Sequence, residues 1–152
     1  MPLRDLLPQL VQLAAEWAER VSSQAAVTGE ALDEEGTGIA RAAGVAAPER
    51  VRIAVPELMP FPEHPMLRAA ALQTGMLGPT MAGLTLGYTI FIRPGQRTVR
   101  LLSHELRHVA QYEAAGSIAA FLQAYLAQIV HFGYHDAPYE VDARSHETGR
   151  EP

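Results

Sequence analysis

The sequence predicts an α+β domain in which several helices pack around a small sheet. Apolar residues recur with the 3.6-residue period of a helix in several segments, and two short segments are rich in the β-branched and aromatic residues typical of strands. The chain has 152 residues, of which 48% are hydrophobic and 19% are charged. This length and balance are typical of one globular domain with a single core. We therefore predict a single domain over residues 1–152.

Residues 1–24 are predicted to form an amphipathic helix. Apolar residues from Leu3 to Val21 recur at helical spacing, and polar residues fill the opposite side. The polar face is mixed rather than strongly basic, so packing on the domain is favoured over binding a partner or a membrane surface. Residues 22–38 contain Ser, Thr, Gly and acidic residues, which predicts a loop or a frayed helix. Residues 39–43 predict a short helix ended by Gly44.

Two strands are predicted in the middle of the chain. Residues 51–55 alternate apolar with polar or small residues, and residues 85–92 are rich in β-branched and aromatic residues. Between them, the prolines from position 56 to position 65 exclude regular structure. Residues 66–74 then predict a helix that stops at Gly75, and residues 76–83 predict a segment rich in turns that includes Gly78-Pro79.

Three helices are predicted in the C-terminal part of the chain. The first has Thr98 as its N-cap and ends at Gly116, and the second begins after Ser117 and ends at Gly133. The third begins near Pro138, which suits a first helical turn because no backbone N–H is needed there. Residues 145–152 are polar and predict a frayed tail.

The first of these helices contains the segment His104–His108, which matches the pattern H-E-x-x-H. Two histidines four residues apart lie on one face of a helix, because 3.6 residues make one turn. Each offers a nitrogen lone pair to one divalent metal ion, and Glu105 lies beside them. This pattern is the signature of zinc hydrolases, in which the glutamate acts as general base toward zinc-activated water.

A catalytic zinc ion takes three protein ligands, so a third residue is required besides the two histidines. The metzincin spacing would place a histidine six residues after His108, where this chain has Ala114. Glu140 is favoured because it lies at the start of a helix beyond the motif helix, although an acid in a first helical turn also interacts favourably with the helix dipole. His135 and Asp142 are the main alternatives. The full set of downstream candidates is His131, His135, Asp136, Glu140, Asp142 and His146.

A tetrahedral oxyanion also needs a hydrogen-bond donor besides the metal ion. Three residues near Glu140 could supply one, and the sequence does not choose among them. They are Tyr134, His135 and Tyr139.

The composition excludes several other classes of protein. The chain has no cysteine, which excludes disulfides, thiol nucleophiles and metal hydrolases with a Cys ligand, such as peptide deformylases. Its net charge is −5 and its basic residues are dispersed, so we expect no nucleic-acid partner. No stretch approaches the roughly 18 apolar residues that cross a bilayer, and the N-terminus lacks the apolar core of a secretory signal. We therefore expect a cytoplasmic protein without a membrane span.

Residues 84–144 resemble the gluzincin-type zincin peptidases. The resemblance is carried by the strand before the motif helix, by the helix segment His104–Tyr112 and by the later segment Ala137–Ala143. It is strongest to small bacterial metallopeptidases of uncharacterised function with an H-E-L-x-H-V-x-Q helix and a later E-x-x-A segment. The N-terminal third of the chain shows no resemblance.

The resemblance implies a zincin-like fold with Zn²⁺ bound by His104, His108 and Glu140, and with Glu105 as general base. It also implies that a peptide or protein substrate adds as a β-strand to the sheet edge before the motif helix. One position departs from the thermolysin type, which has an Asp four residues after the ligand Glu to orient a histidine. This chain has Arg144 there, so Asp142 would have to take that role.

The sequence thus predicts a zinc metallopeptidase that hydrolyses peptide bonds. A weakly active or inactive zinc-binding interaction module of the same fold is the first alternative, and Glu105 argues against it because binding alone requires no base. A Spartan-like protease acting on DNA-bound proteins is a second alternative, which the acidic charge disfavours. A helical protein with an accidental motif is the third. The sequence gives neither the substrate nor the oligomeric state.

Overall fold

The computed structural model describes residues 2–78 and 80–149. Within these residues the chain folds into helices and a small mixed sheet, which confirms the predicted α+β class. The elements are α1 (Leu3–Thr28), β1 (Glu30–Ala31), α2 (Glu34–Ala42), a 3₁₀ turn (Pro48–Arg50), β2 (Arg52–Ala54), α3 (Pro65–Thr74), β3 (Gly83–Leu86), β4 (Thr89–Ile92), α4 (Val99–Ala115), α5 (Ile118–Phe132) and α6 (Pro138–Ser145).

The four strands form one sheet in the order β1-β2-β4-β3. β2 pairs with β1 in antiparallel and with β4 in parallel orientation, and β3 pairs with β4 in antiparallel orientation. The prediction of one continuous strand over residues 85–92 is therefore wrong. The segment is a hairpin that turns at Gly87, whose φ of +66° is readily adopted by glycine. As a result, β3 is an edge strand of the sheet.

The prediction of a loop or frayed helix over residues 22–38 is also wrong for most of that segment. Residues 22–28 continue α1 because Ser22 is buried, and its carbonyl accepts a hydrogen bond of 3.2 Å from the Thr89 hydroxyl. α2 begins at Glu34 because the Asp33 side chain caps it, accepting a hydrogen bond of 2.7 Å from the Gly36 amide.

Helices cover both faces of the sheet, and a cluster of buried apolar residues lies on each face. On one face, α1, α3 and α5 pack over side chains such as Phe91 of β4. On the other, α2 and α4 pack over Ile90 and Ile92. The predicted packing of the N-terminal helix on the domain is confirmed, because α1 lies against α5 and buries Leu10 and Ala18.

Most of the predicted helix ends are confirmed. The Thr98 hydroxyl accepts a hydrogen bond of 3.1 Å from the Leu101 amide at the start of α4, and Ser117 caps α5 in the same way. The predicted frayed tail is wrong for residues 146–149, because the Thr148 amide donates to the Ser103 hydroxyl of α4 at 2.9 Å. Residues 150–152 of that predicted tail, and Pro79 of the predicted turn, lie outside the described residues.

No single helix within residues 2–78 and 80–149 is long and apolar enough to cross a membrane. α4 and α5 meet that criterion only when taken together, and they are bent by 113° at the break between them.

Candidate metal centre

The structure brings His104, His108 and Glu140 together. The two histidines lie one turn apart on α4, and their ring centroids are 5.0 Å apart. Glu140 lies in the first turn of α6, which packs against α4. One ligand atom from each residue lies within 4.8 Å of the other two. Of the downstream candidates considered for a third ligand, Glu140 is the one in this group.

Glu140 is almost completely buried, with 2% of its surface exposed. One carboxylate oxygen lies 2.8 Å from His108 Nε2, and the other lies 3.3 Å from His104 Nε2. The Tyr125 hydroxyl, which is buried, also donates to this carboxylate at 2.6 Å. Two ring nitrogens and a carboxylate therefore face one point, which is the arrangement that a metal ion requires.

The two histidines and Glu140 shift one another's pKa values. Burial lowers the pKa of His104, but hydrogen bonds to Glu140 and Glu147 and the charge of Glu105 outweigh burial and raise the pKa to about 9. For Glu140, burial opposes ionisation, but hydrogen bonds with the two histidines outweigh it and lower the pKa of the carboxyl group. Without a metal ion, protonated histidine therefore balances the buried carboxylate.

The other nitrogen of each ring is held by a second side chain. His104 Nδ1 lies 2.8 Å from the Glu147 carboxylate, and His108 Nδ1 lies 2.7 Å from the side-chain oxygen of Gln111. Because both acceptors require an N–H at Nδ1, they leave Nε2 of each ring facing Glu140. Such outer hydrogen bonds select the tautomer and the ring orientation of metal-binding histidines.

Asp142, considered as a substitute for the histidine-orienting Asp of the thermolysin type, does not contact His104 or His108. Its carboxylate pairs with Arg107 at 2.8 Å and accepts a hydrogen bond of 2.8 Å from the Gln111 side chain. It therefore acts on His108 only through Gln111. The carboxylate that holds His104 Nδ1 belongs to Glu147, seven residues after Glu140. Sequence reasoning missed Glu147 because it lies in a polar segment without helical periodicity.

Glu105 lies beside the histidines and contacts the edge strand β3. It is buried, with 5% of its surface exposed, and one carboxylate oxygen accepts a hydrogen bond of 2.8 Å from the Thr85 hydroxyl. The other oxygen lies so close to Gly83 that a Cβ atom added there would be 3.0 Å away. The position of the carboxylate therefore depends on two residues of β3.

Of the three residues considered as oxyanion donors, Tyr134 is the one at the site. Burial and the charges of Glu140 and Glu105 raise its pKa, so its hydroxyl keeps its proton. The side chain of His135 is 81% exposed and pairs with Asp136. Tyr139 instead stacks on Phe121, with ring centroids 4.8 Å apart.

His104 and Glu140 line a groove of about 420 Å³ between β3, α4 and α6. We call this space the groove. A second, smaller cavity of about 40 Å³ is lined by His108 and Phe121 and shares His104, Glu105 and Glu140 with the groove. The groove is lined by Met81, Ala82, Gly83, Gln96, Thr98, Arg100, Leu101, His104, Glu105, Tyr134, Glu140, Arg144 and Glu147.

Comparisons of the chain with protein-family models, with curated proteins and with solved structures find no match. The function is therefore inferred from the site itself. Two imidazole nitrogens and one carboxylate oxygen form a ligand set that catalytic zinc uses. Because Glu147 and Gln111 already hold both rings with Nε2 facing Glu140, the residues fit zinc.

Proposed function

We propose that the protein is a zincin-like zinc metallopeptidase, with zinc held by His104, His108 and Glu140. One observation carries the proposal: these three residues converge within 4.8 Å, next to the buried carboxylate of Glu105, and two of them, His104 and Glu140, line an open groove. When bound, zinc would polarise the substrate carbonyl and make a water molecule nucleophilic at neutral pH.

Glu105 is the general base in this proposal. It accepts a proton from the attacking water and passes it to the leaving amine. The hydrogen bond from Thr85 holds one oxygen of its carboxylate, and the second oxygen is kept beside Gly83. A base held in one position loses less conformational entropy when the reaction begins.

The substrate binds along β3 as an additional strand. Among the described residues β3 pairs in the sheet with β4, so its other edge faces away from the sheet. The Thr85 carbonyl on that edge already accepts a hydrogen bond of 3.1 Å from the Tyr112 hydroxyl, so an extended peptide adds at the Gly83 end of the strand. Gly83 and Thr85 on this strand contact Glu105, which places an added backbone beside the base. Tyr134, which also lines the groove, supplies a hydrogen bond from its hydroxyl to the oxyanion.

The test combines metal analysis with a fluorogenic peptide library. We expect about one zinc ion per chain and cleavage that stops on chelation. Glu105→Gln should keep the zinc and lose about 10²–10⁴-fold in rate, because general base catalysis contributes that much. Glu16→Gln, a change of an exposed residue on α1, is the matched control and should leave the rate unchanged. Cleavage at the normal rate by Glu105→Gln would contradict the proposal.

A zinc-binding interaction module without catalysis is the second candidate. It is favoured by the engagement of Glu105, whose carboxylate already accepts the hydrogen bond from Thr85. The same experiment separates the two candidates, because the module predicts one zinc ion per chain and no cleavage of any peptide in the library.

A further inference from the structure

Arg144 lies in the groove beside the candidate metal centre. It follows Glu140 by four residues on α6, so the two side chains lie on the same face of the helix. Its guanidinium is held in place, because one nitrogen donates a hydrogen bond of 2.6 Å to the carbonyl of His135. Arg144 lines the groove together with His104 and Glu105.

The guanidinium of Arg144 has no acidic partner among the described residues. The groove's other arginine, Arg100, pairs with Glu147 at 2.8 Å. A divalent ion would offset the charges of Glu105 and Glu140. Arg144 is then the positive charge of the described groove that no side chain balances. Its charge lowers the pKa of the neighbouring Tyr134, although burial raises that pKa by more.

The spacing along α6 gives an upper limit for how far this charge lies along the helix from Glu140, because the Arg144 side chain reaches back to the His135 carbonyl before the helix start. Four residues rise by about 6 Å along a helix. An extended peptide covers a similar distance with about two residues, at roughly 3.3–3.6 Å for each. A group bound at Arg144 therefore belongs to a residue within about two positions of the bond that is cleaved.

We propose that Arg144 binds a carboxylate of the substrate, so that preferred peptides carry this group within two residues of the cleaved bond. The inference rests on the proposed function, because it assigns a subsite of the same groove. Guanidinium forms paired, charge-assisted hydrogen bonds with carboxylates, and its attachment to the His135 carbonyl reduces the entropy lost on binding. The carboxylate is either the C-terminus of a short peptide or an Asp or Glu side chain.

The test measures binding rather than cleavage, using zinc-loaded Glu105→Gln protein. The probes are the pentapeptide acetyl-Ala-Ala-Leu-Ala-Ala as the free acid, the same peptide as its C-terminal amide, and an amide in which the last alanine is aspartate. We expect the free acid or the aspartate amide to bind about tenfold or more tightly than the plain amide by calorimetry or NMR titration. Whichever of the two binds more tightly identifies the source of the carboxylate.

Adding Arg144→Gln should abolish that preference while the affinity for the plain amide stays the same. The unchanged amide affinity shows that the groove is still folded. Arg144→Lys should restore part of the preference, since the charge returns without the paired geometry. Arg20→Gln, on the exposed face of α1, is the control and should change neither affinity.

Equal binding of all three probes, absence of binding, or a preference that survives Arg144→Gln would overturn the inference. Failure of the proposed function is a separate result, because it is read from the cleavage assay on the unmodified chain. A protein that cleaves peptides without regard to their carboxylates would keep the peptidase assignment and lose this subsite.

Discussion

At the scale of single residues, the candidate centre depends on two side chains that contact no metal ion. Glu147 and Gln111 each hold Nδ1 of one histidine, and they thereby turn both Nε2 atoms toward Glu140. Neither belongs to the H-E-x-x-H pattern. A histidine that loses such a partner can rotate or adopt the other tautomer, and either change weakens its bond to a metal ion.

Replacing Glu147 with glutamine should therefore weaken zinc binding by about 10–100-fold, the usual effect of losing an outer hydrogen-bond partner. The glutamine has a similar size but removes the charge next to His104 and Arg100. Competition with a chromophoric chelator measures the affinity. Glu63→Gln, a change of an exposed residue, serves as the control. An unchanged zinc affinity in Glu147→Gln would assign this carboxylate a purely structural role.

The pKa of His104 predicts how zinc binding responds to pH. Burial alone would lower this pKa, but the carboxylates around the ring raise it to about 9 in the metal-free protein. Zinc must displace this proton, so its apparent affinity should fall by about tenfold for each pH unit below 9, for every proton displaced. Titrations between pH 6 and pH 9 measure the slope, and a flat profile would contradict the prediction.

The same pKa predicts that the metal-free protein becomes less stable as the pH rises, whereas its zinc affinity increases. Because the folded pKa is above the usual value of 6.5, protonated His104 stabilises the fold fully below pH 6.5, and this contribution is lost as the pH rises toward 9. Chelated protein should therefore unfold at lower urea concentration at pH 9 than at pH 6.5. His104→Gln should reduce this difference.

At the scale of elements, the sequence predicted the C-terminal helices well and the segments around the sheet poorly. The caps of α4 and α5 are local signals, since Thr98 and Ser117 bond to amides three residues away. The hairpin of β3 and β4 has no comparable local signal. All four residues of β4 are buried, so the strand lacks the alternation that would have separated it from β3.

The residues of the candidate site also divide into those that the sequence predicts and those that it does not. Positions 104, 105 and 108 follow from one helical pattern, and Glu140 follows from its place at the start of a later helix. Gln111 also follows from helical spacing, because it lies three residues after His108 on α4. Thr85 and Glu147 instead act at the site through tertiary contacts across 20 and 43 residues. No spacing rule identifies such contacts, because they depend on how β3 and the segment after α6 lie against α4.

The close approach of β3 to α4 predicts the effect of Gly83→Ala. The added methyl group would lie 3.0 Å from the Glu105 carboxylate and 3.1 Å from Leu101, so the strand or the base must move. We expect the rate of peptide cleavage to fall and the free energy of unfolding to decrease by about 1–3 kcal/mol, as in other overpacked sites.

Gly38→Ala on α2 is the matched control for that change. An added Cβ at Gly38 meets nothing within 4 Å, and alanine should stabilise the helix by about 0.5–1 kcal/mol. Chemical denaturation and peptide cleavage measure both variants. Gly83→Ala with full activity would show that Glu105 does not depend on close contact with β3.

At the scale of the whole molecule, the candidate centre joins parts of the chain that are distant in sequence. α4 supplies two of its residues, α6 supplies the third, and the segment after α6 folds back onto α4 through Glu147 and Thr148. A metal ion at this point would therefore link the C-terminal segment to the core and stabilise the folded state by mass action.

Zinc at about one hundred times its dissociation constant should stabilise the fold by about 2.7 kcal/mol. In a chain of this size, that corresponds to a rise in Tm of about 5–10 °C, which differential scanning calorimetry measures. His108→Ala should abolish the rise, and His131→Ala, at an exposed position on α5, should retain it. A zinc-dependent rise that persists in His108→Ala would place the metal elsewhere.

The contact between the edge strand and Glu105 links recognition to chemistry. An extended polypeptide that docks on β3 would press on the same two residues, Gly83 and Thr85, that hold the carboxylate. Docking would then help align the base, so small activated esters without a peptide backbone should be turned over inefficiently. Selectivity for polypeptides would arise without any side-chain pocket, from the backbone that the strand accepts.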